Sequence, residues 1–189
     1  MKDKKSIGTN IFINPMPVVL IGSRFVGEAN FMTCSWVTRV NAAPPMIGIS
    51  LNKNHQTSPA IMDCNEFSVN IPDKFLLEKT DYAGEVSGKK KNKAALFDVF
   101  YGKLEKAPMI AECPVNIECR LVKTLELPSN TFFVGEIINT HVSSEYIRDG
   151  NIDMEKFGMF CVTMPDNHYR AVGDVLGKAW DVSNFEKFK

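Results

Sequence analysis

Residues 115–142 constrain the fold of this chain more than any other stretch. Val115, Ile117, Cys119 and Leu121 recur at every second position, so residues 115–127 read as a strand with one apolar face. Residues 131–142 are rich in Phe, Val and Ile, and Pro128-Ser129-Asn130 supplies turn chemistry between the two runs. A long antiparallel hairpin is expected. Other strand-like runs cover residues 17–22, 34–40, 46–51, 66–71 and 159–164. Ala42-Ala43-Pro44-Pro45 turns the chain between residues 34–40 and 46–51. Phe67, Val69 and Ile71 share one face of a strand that Pro72 stops.

Helical segments are few. Thr57 and Ser58 place hydroxyl caps before Pro59, and residues 60–64 continue that helix. Asp73 is expected to cap a second helix over residues 74–83, with Phe75, Leu76, Lys79 and Tyr82 facing inward and Gly84 ending it. Residues 93–100 suggest a third. The helices read as connectors, without the alternation that a parallel βαβ sheet requires. The expected fold class is mainly β, a closed antiparallel barrel with a few connecting helices. With 189 residues, no internal repeat and no linker, a single domain over residues 1–189 is expected.

Composition enters by exclusion. Hydrophobic residues make up 44% and charged residues 23%, as in globular chains, and a chain of this length buries roughly 70% of its unfolded surface. Lys plus Arg and Asp plus Glu both number 22, so there is no overall basic field to grip nucleic acid. The five cysteines contain no C-x-x-C pair, which argues against a disulfide framework or zinc cluster and favours a reducing, cytoplasmic location. Cys113 and Cys119 fall on one strand face with no histidine beside them and read as buried apolar thiols. No run approaches the roughly 18 apolar residues of a membrane span, and no signal peptide is recognisable.

Three clusters carry candidate chemistry. Asn30-Phe31-Met32-Thr33-Cys34-Ser35-Trp36 offers neutral donors and acceptors, irregular backbone before a strand, and the flat face of Trp36. This set suits a planar heteroaromatic ligand with hydrogen-bonding edges; the bland alternative is a turn around one buried Trp. Residues 50–59 run from a strand end through Asn52, Lys53 and His55 to the start of a helix at Thr57-Ser58. A helix N-terminus presents free N–H groups and partial positive charge, which suits a phosphate, although an ordinary cap beside an exposed lysine would look the same. Lys89, Lys90, Lys91 and Lys93 form the third cluster, readable as a solvated loop or as cations reaching that anion. A single-stranded nucleic-acid groove would need more aromatic interleaving than Tyr82 provides.

Together these stretches resemble the flavin reductase-like family, flavoredoxin type. The resemblance is carried by Pro17-Val-Val-Leu-Ile-Gly22-Ser23, the N-x-M-T-x-S-W run ending at Trp36, and Pro44-Pro45-Met-Ile-Gly-Ile-Ser50-Leu51. Thr57-Ser58, Phe67-Ser-Val-Asn70-Ile-Pro72, Asp81-Tyr82-Ala-Gly84, Ser87-Gly88, Val172-Gly173 and Leu176-Gly177-Lys178-Ala179 follow in family order. The resemblance implies an FMN-binding split β-barrel with Greek-key connections, usually a homodimer with the flavin near the interface. Asn30, Met32, Thr33, Cys34 and Ser35 would then line the isoalloxazine edge, with Trp36 against the ring. Ser50, Leu51, Asn52 and Lys53 would follow the ribityl chain and phosphate. Thr57, Ser58 and Lys93 would hold the phosphate, and Tyr169 would close the site. Many relatives carry a histidine where this chain reads Ser129-Asn130-Thr131, which puts any role of that histidine in doubt here.

What the resemblance implies chemically is hydride or electron transfer through flavin N5, with no side-chain nucleophile. Two activities are expected from it. One is reduction of flavin or a small acceptor by NAD(P)H. The other is a flavoredoxin-type electron carrier with tightly held FMN and a redox partner protein. Cys34 reads as a small side chain beside the ring, since it has no partner cysteine or flanking base. No metal ligand set, nucleic-acid partner or membrane partner is expected.

Overall fold

The computed structural model describes residues 3–86, 88 and 92–180. The lysines at 89–91 lie outside the described residues. In chain order the elements begin with β1 (Met16–Pro17), β2 (Val19–Phe25), β3 (Glu28–Cys34), β4 (Val37–Asn41) and β5 (Met46–Asn52). Helix α1 (Thr57–Cys64) leads to β6 (Glu66–Ile71), and α2 (Leu77–Glu85) leads to the two-residue strands β7 (Val99–Phe100) and β8 (Met109–Ile110). The long strands β9 (Val115–Glu126) and β10 (Asn130–Val142) follow, then short β11 (Ile147–Arg148) and β12 (Asn151–Ile152), β13 (Phe160–Thr163) and β14 (His168–Ala171).

The expected hairpin is the centre of the architecture. β9 and β10 pair antiparallel from Val115↔Val142 to Thr131↔Glu126, with register shifts at Val134/Gly135 and Ile137/Asn139. Around them runs a seven-stranded antiparallel sheet in the order β3-β2-β6-β9-β10-β5-β4. Val19 and Ile21 of β2, Met32 and Cys34 of β3, Ile47, Ile49 and Leu51 of β5, Phe67 and Val69 of β6 and Phe133 of β10 all meet in one buried cluster. Strands from both ends of the order share that core, so the sheet curls around it.

The barrel is split, as the family resemblance implies, where the strand pattern alone suggests closure. β3 and β4 are its two edges, and among the described residues no ladder joins them. The chain leaves β3 at Cys34, spends Ser35 and Trp36 crossing the gap, and re-enters the sheet against β5 through Ser50 N–H donating to the Trp36 carbonyl at 2.9 Å. Of the single strand expected over residues 34–40, Cys34 ends β3 and residues 37–40 belong to β4 on the opposite edge. The stretch from Asn30 up to the expected strand, read as irregular, is part of β3. Val26 (φ 49°) and Gly27 (φ 85°) both lie in the left-handed region, and this two-residue turn folds β3 back on β2 in the sense that matches strand twist.

The outer face of β2 and β3 is also buried. Leu20 and Phe31 pack there with Leu76, Ala83, Phe97, Ile110 and Cys113, which accounts for the continuous apolar run at residues 18–21. α2 lies close on β3, where Thr33 Oγ1 donates to the Thr80 carbonyl at 2.5 Å. Its inward stripe is Leu76, Thr80 and Ala83, not the expected Phe75, Lys79 and Tyr82; Phe75 is 81% exposed. The cause is a 3-10 turn at Lys74–Leu76, whose tighter pitch resets the phase before α2 begins. Asp73 does cap it, accepting from Phe75 N–H at 3.0 Å. The helix runs through Gly84 to Glu85. The expected third helix is a 3-10 turn, Lys93–Leu96, before β7.

Candidate functional site

The split and the β5–α1 loop bound a trench of three connected hollows. The first, of about 220 Å³, lies between β3, the loop after β5 and the end of α2, and is lined by Asn30, Met32, Asn54, His55, Gln56, Thr57, Gly84, Glu85, Val86, Gly88 and Lys93. The second, of about 250 Å³, shares Met32 and His55 with it and continues along Thr33, Cys34, Ser35, Trp36, Ser50, Leu51, Asn52 and Asn130. The first two together fall within the roughly 300–1,000 Å³ of small-molecule sites. A third, apolar groove shares Ser35, Trp36 and Ser50 with the second.

Lys93 sets the electrostatics of the first hollow. It is 5% exposed, and its Nζ donates to the Ala83 carbonyl at 2.9 Å. Among the described residues no carboxylate forms an ion pair with it. Burial of its ammonium pulls its pKa down from 10.5 to about 8. A buried cation without a counter-ion is costly, and an anion in the hollow would relieve it. His55 on the rim is held below the ordinary histidine value, first by burial and then by the Lys93 charge. Gly88 permits the close approach of this wall: a Cβ there would lie 2.5 Å from Gln56 Oε1 and 2.7 Å from Asn30 Oδ1.

α1 begins beside this cation without the expected side-chain caps. Its N-cap is Gln56, and Thr57 and Ser58 are themselves helical and buried. Asn30 Nδ2 donates to Thr57 Oγ1 at 3.3 Å, and Ser58 Oγ donates to the Asn52 carbonyl at 3.2 Å. Thr57 faces the hollow. Ser58 instead ties the loop to β5. The α1 N-terminus and Lys93 thus flank one polar space suited to a dianion.

The second hollow is flatter and more neutral. Trp36 is half exposed, which removes the alternative of a turn around a buried Trp. Asn130 Nδ2 donates to Ser50 Oγ at 3.3 Å, so an amide stands at the hollow's edge. The Cys34 thiol is pushed up to about 11 by burial, partly countered by a hydrogen bond from the Trp36 backbone, so it is a neutral thiol at physiological pH. All five cysteines are free. Among the described residues no group of three or more His, Cys, Asp or Glu could hold a metal, and no helix is long and apolar enough to cross a membrane.

The structure brings Asn30, Met32, Thr33, Cys34, Ser35, Trp36, Ser50, Leu51, Asn52, Thr57 and Lys93 to the trench. Three other expected residues do not line these hollows, although Lys53 lines an adjoining one with Asn54, His55 and Gln56. Lys53 Nζ is 2.8 Å from Glu126, and Lys53 N–H donates to the Ser129 carbonyl, so it fastens the β5–α1 loop to the β9–β10 turn. That contact is the main cause holding the Glu126 carboxyl below its usual value. Ser58 is buried behind the helix start. Tyr169 on β14 donates to Asp81 Oδ1 at 2.8 Å and packs edge-on against Phe160. The sequence reading did not single out Asn54, Gln56, Glu85 or Val86. Nearness to the strand–loop–helix junction signals Asn54 and Gln56, whereas Glu85 and Val86 at the end of α2 reach the hollow only through the fold.

A curled antiparallel sheet with a gap between consecutive strands, and a ligand-sized trench along that gap, defines a split-barrel binding domain. A Shewanella frigidimarina protein described by its split barrel domain has this fold, with a TM-score of 0.78 at 21% identity over 87% of this chain and 85% of that one. The flavin reductase-like domain family matches residues 12–152, and the chain belongs to that family. The flavoredoxin of Methanosarcina acetivorans superposes with a TM-score of 0.94 at 48% identity, covering 99% of this chain and 100% of that one. The flavoredoxin of Desulfovibrio vulgaris gives 0.87 at 31% identity over 95% and 98%. Family membership makes this a flavin-related redox protein.

Proposed function

We propose that this single-domain chain binds FMN in the trench and reduces free flavin or a small acceptor with electrons from NAD(P)H. The observation that carries this reading is the division of the trench. A buried Lys93 with no ion-pair partner among the described residues lies beside a helix N-terminus at one end, and the flat face of Trp36 amid neutral hydrogen-bonding groups lies at the other. FMN has the same division: a phosphate of about two negative charges at one end and a planar heteroaromatic ring at the other. Lys93, Thr57 and the α1 N–H groups would hold the phosphate. Ser50, Leu51 and Asn52 would follow the ribityl chain, and residues 30–36 would orient the ring. Bound FMN supplies hydride or electron transfer through its N5, and the chain supplies position and electrostatics. No side chain in the trench needs to act as a nucleophile.

A second reading, a flavoredoxin-type electron carrier acting on a redox partner protein, is favoured by the 48% identity to a flavoredoxin over nearly the whole chain. We further propose that the protein is a homodimer, since the trench is open along the split, and that its free cysteines suit a reducing cytoplasm. Anaerobic mixing of the flavin-loaded protein with NADH and with NADPH separates the two activities. Bleaching of the oxidised flavin band within seconds supports the reductase. No bleaching with either nucleotide, with FMN retained, leaves the carrier.

A further inference from the structure

The third hollow has no part in the reading above. It is a groove of about 550 Å³, walled by Ile11, Ile13, Met16, Trp36, Val37 and Phe132 among others. Because Ser35, Trp36 and Ser50 also line the second hollow, whatever fills the groove walls that hollow too. On the same chain, residues 172–180 leave β14 as an arm without regular secondary structure, every residue exposed. Val175 is 83% exposed, Leu176 100% and Trp180 96%. An apolar arm and an apolar groove, each uncovered among the described residues, are complementary surfaces of the kind that mark association.

As far as the described residues go, the arm does not serve its own groove. β14 pairs with β13, which pairs with β1, and β1 supplies Met16 and Pro17 to the groove wall. Two strand spacings, roughly 10 Å, separate the arm's start from that wall. Yet no residue of the arm lines the groove, and Leu176 is wholly exposed.

We propose that residues 172–180 of a second copy of this chain lie in the groove and close the trench beside Trp36, the arms being exchanged about a twofold axis. Nine extended residues reach about 30 Å. A strip of that length and about 10 Å width, counted on both partners at both symmetry-related sites, buries on the order of 1,200 Å². This is the lower end of the range for stable interfaces. Docking of the arm stands on these surfaces alone, whereas its closing of a flavin site rests on the function proposed above.

The test uses two full-length variants, Thr38→Cys on the groove wall and Leu176→Cys on the arm. They are co-expressed and oxidised mildly with copper–phenanthroline, with and without bound FMN. The expected result is a covalent dimer on a non-reducing gel that needs both variants and disappears on reduction. Absence of that co-expression-specific band overturns the proposal. So does a doubly substituted single chain that cross-links only within itself. A protein that forms the band yet takes up no FMN refutes the flavin reading and keeps the arm; one that binds FMN without the band does the reverse.

Discussion

Replacing Lys93 with Met separates a ligand-binding lysine from a structural one, because the two roles predict opposite signs. The folded apo-protein holds the Lys93 proton with a pKa of about 8, against 10.5 for an unperturbed lysine. The unfolded chain therefore binds more protons between those values, and stability rises with pH across that window. Below pH 8 the buried ammonium carries its full penalty, on the order of a few kcal/mol. Lys93→Met removes that penalty and orphans the Ala83 carbonyl, which costs about 1 kcal/mol. The apo variant should thus be more stable than wild type at pH 7, with the gain shrinking toward pH 10.5. FMN affinity should move the other way. A hydrogen bond between charged groups contributes about 1.5–3 kcal/mol, so binding should weaken roughly 10- to 100-fold. Wild-type affinity should be flat from pH 7 to about 8. Above that it should weaken by up to tenfold per pH unit as Lys93 loses its proton in the free protein; the variant should show no such limb. Thermal unfolding of the apo-protein and fluorescence titration of FMN across pH read both quantities. A variant that is less stable at pH 7 and binds FMN as wild type does would refute the phosphate role of Lys93.

Thr57→Val should weaken FMN roughly fivefold, about 1 kcal/mol for one hydrogen bond, measured by the same titration; unchanged affinity would place the phosphate elsewhere. Gly88→Ala should lower FMN affinity by pushing its wall off Gln56 and Asn30 while leaving the far-UV circular dichroism of the fold intact. Cys34 should resist alkylation at neutral pH in the native protein, reacting after the half-buried Cys64 and Cys161, as followed by intact mass and peptide mapping. Away from the trench, burial alone would raise the Glu118 carboxyl, but hydrogen bonds from Leu104, His141 and Asn139 outweigh it and hold it below 4.5. Its stabilisation is therefore present above pH 4.5 and lost as pH falls further. Glu118→Ala should cost about 3 kcal/mol in urea unfolding at pH 7, with the deficit narrowing in acid.

The parts of the fold that were legible in the sequence are those where burial follows one period. β10 alternates cleanly over residues 130–135 because one face meets the common core. β9 carries its apolar residues at every second position, although Asn116 and Glu118 on its other face are buried too. The boundaries of both came within a residue or so of the expected ones. α2 was misread because the 3-10 turn before it resets its phase and because its contact with β3 is close. Thr80 and Ala83 are buried because they are small, whereas large Phe75 and Tyr82 are turned outward. The break at Ser35-Trp36 leaves no trace in hydropathy, since it depends on β4 finding β5 across the barrel. The run from Asn30 to Trp36 pointed to the trench because it concentrates polar groups where the ladder ends. Lys53 and Tyr169 could not be placed that way: their partners, Glu126 and Asp81, are 73 and 88 residues distant in the chain and adjacent only in the fold.

The central claim is that the trench from Lys93 to Trp36 holds FMN. Stripping the purified protein of any flavin and titrating FMN back, with stoichiometry read from the flavin absorption band, tests it most directly. The account predicts saturation at one FMN per chain, with riboflavin, which lacks the phosphate, binding at least tenfold more weakly. A protein that takes up no FMN, or that binds riboflavin as tightly, would contradict it.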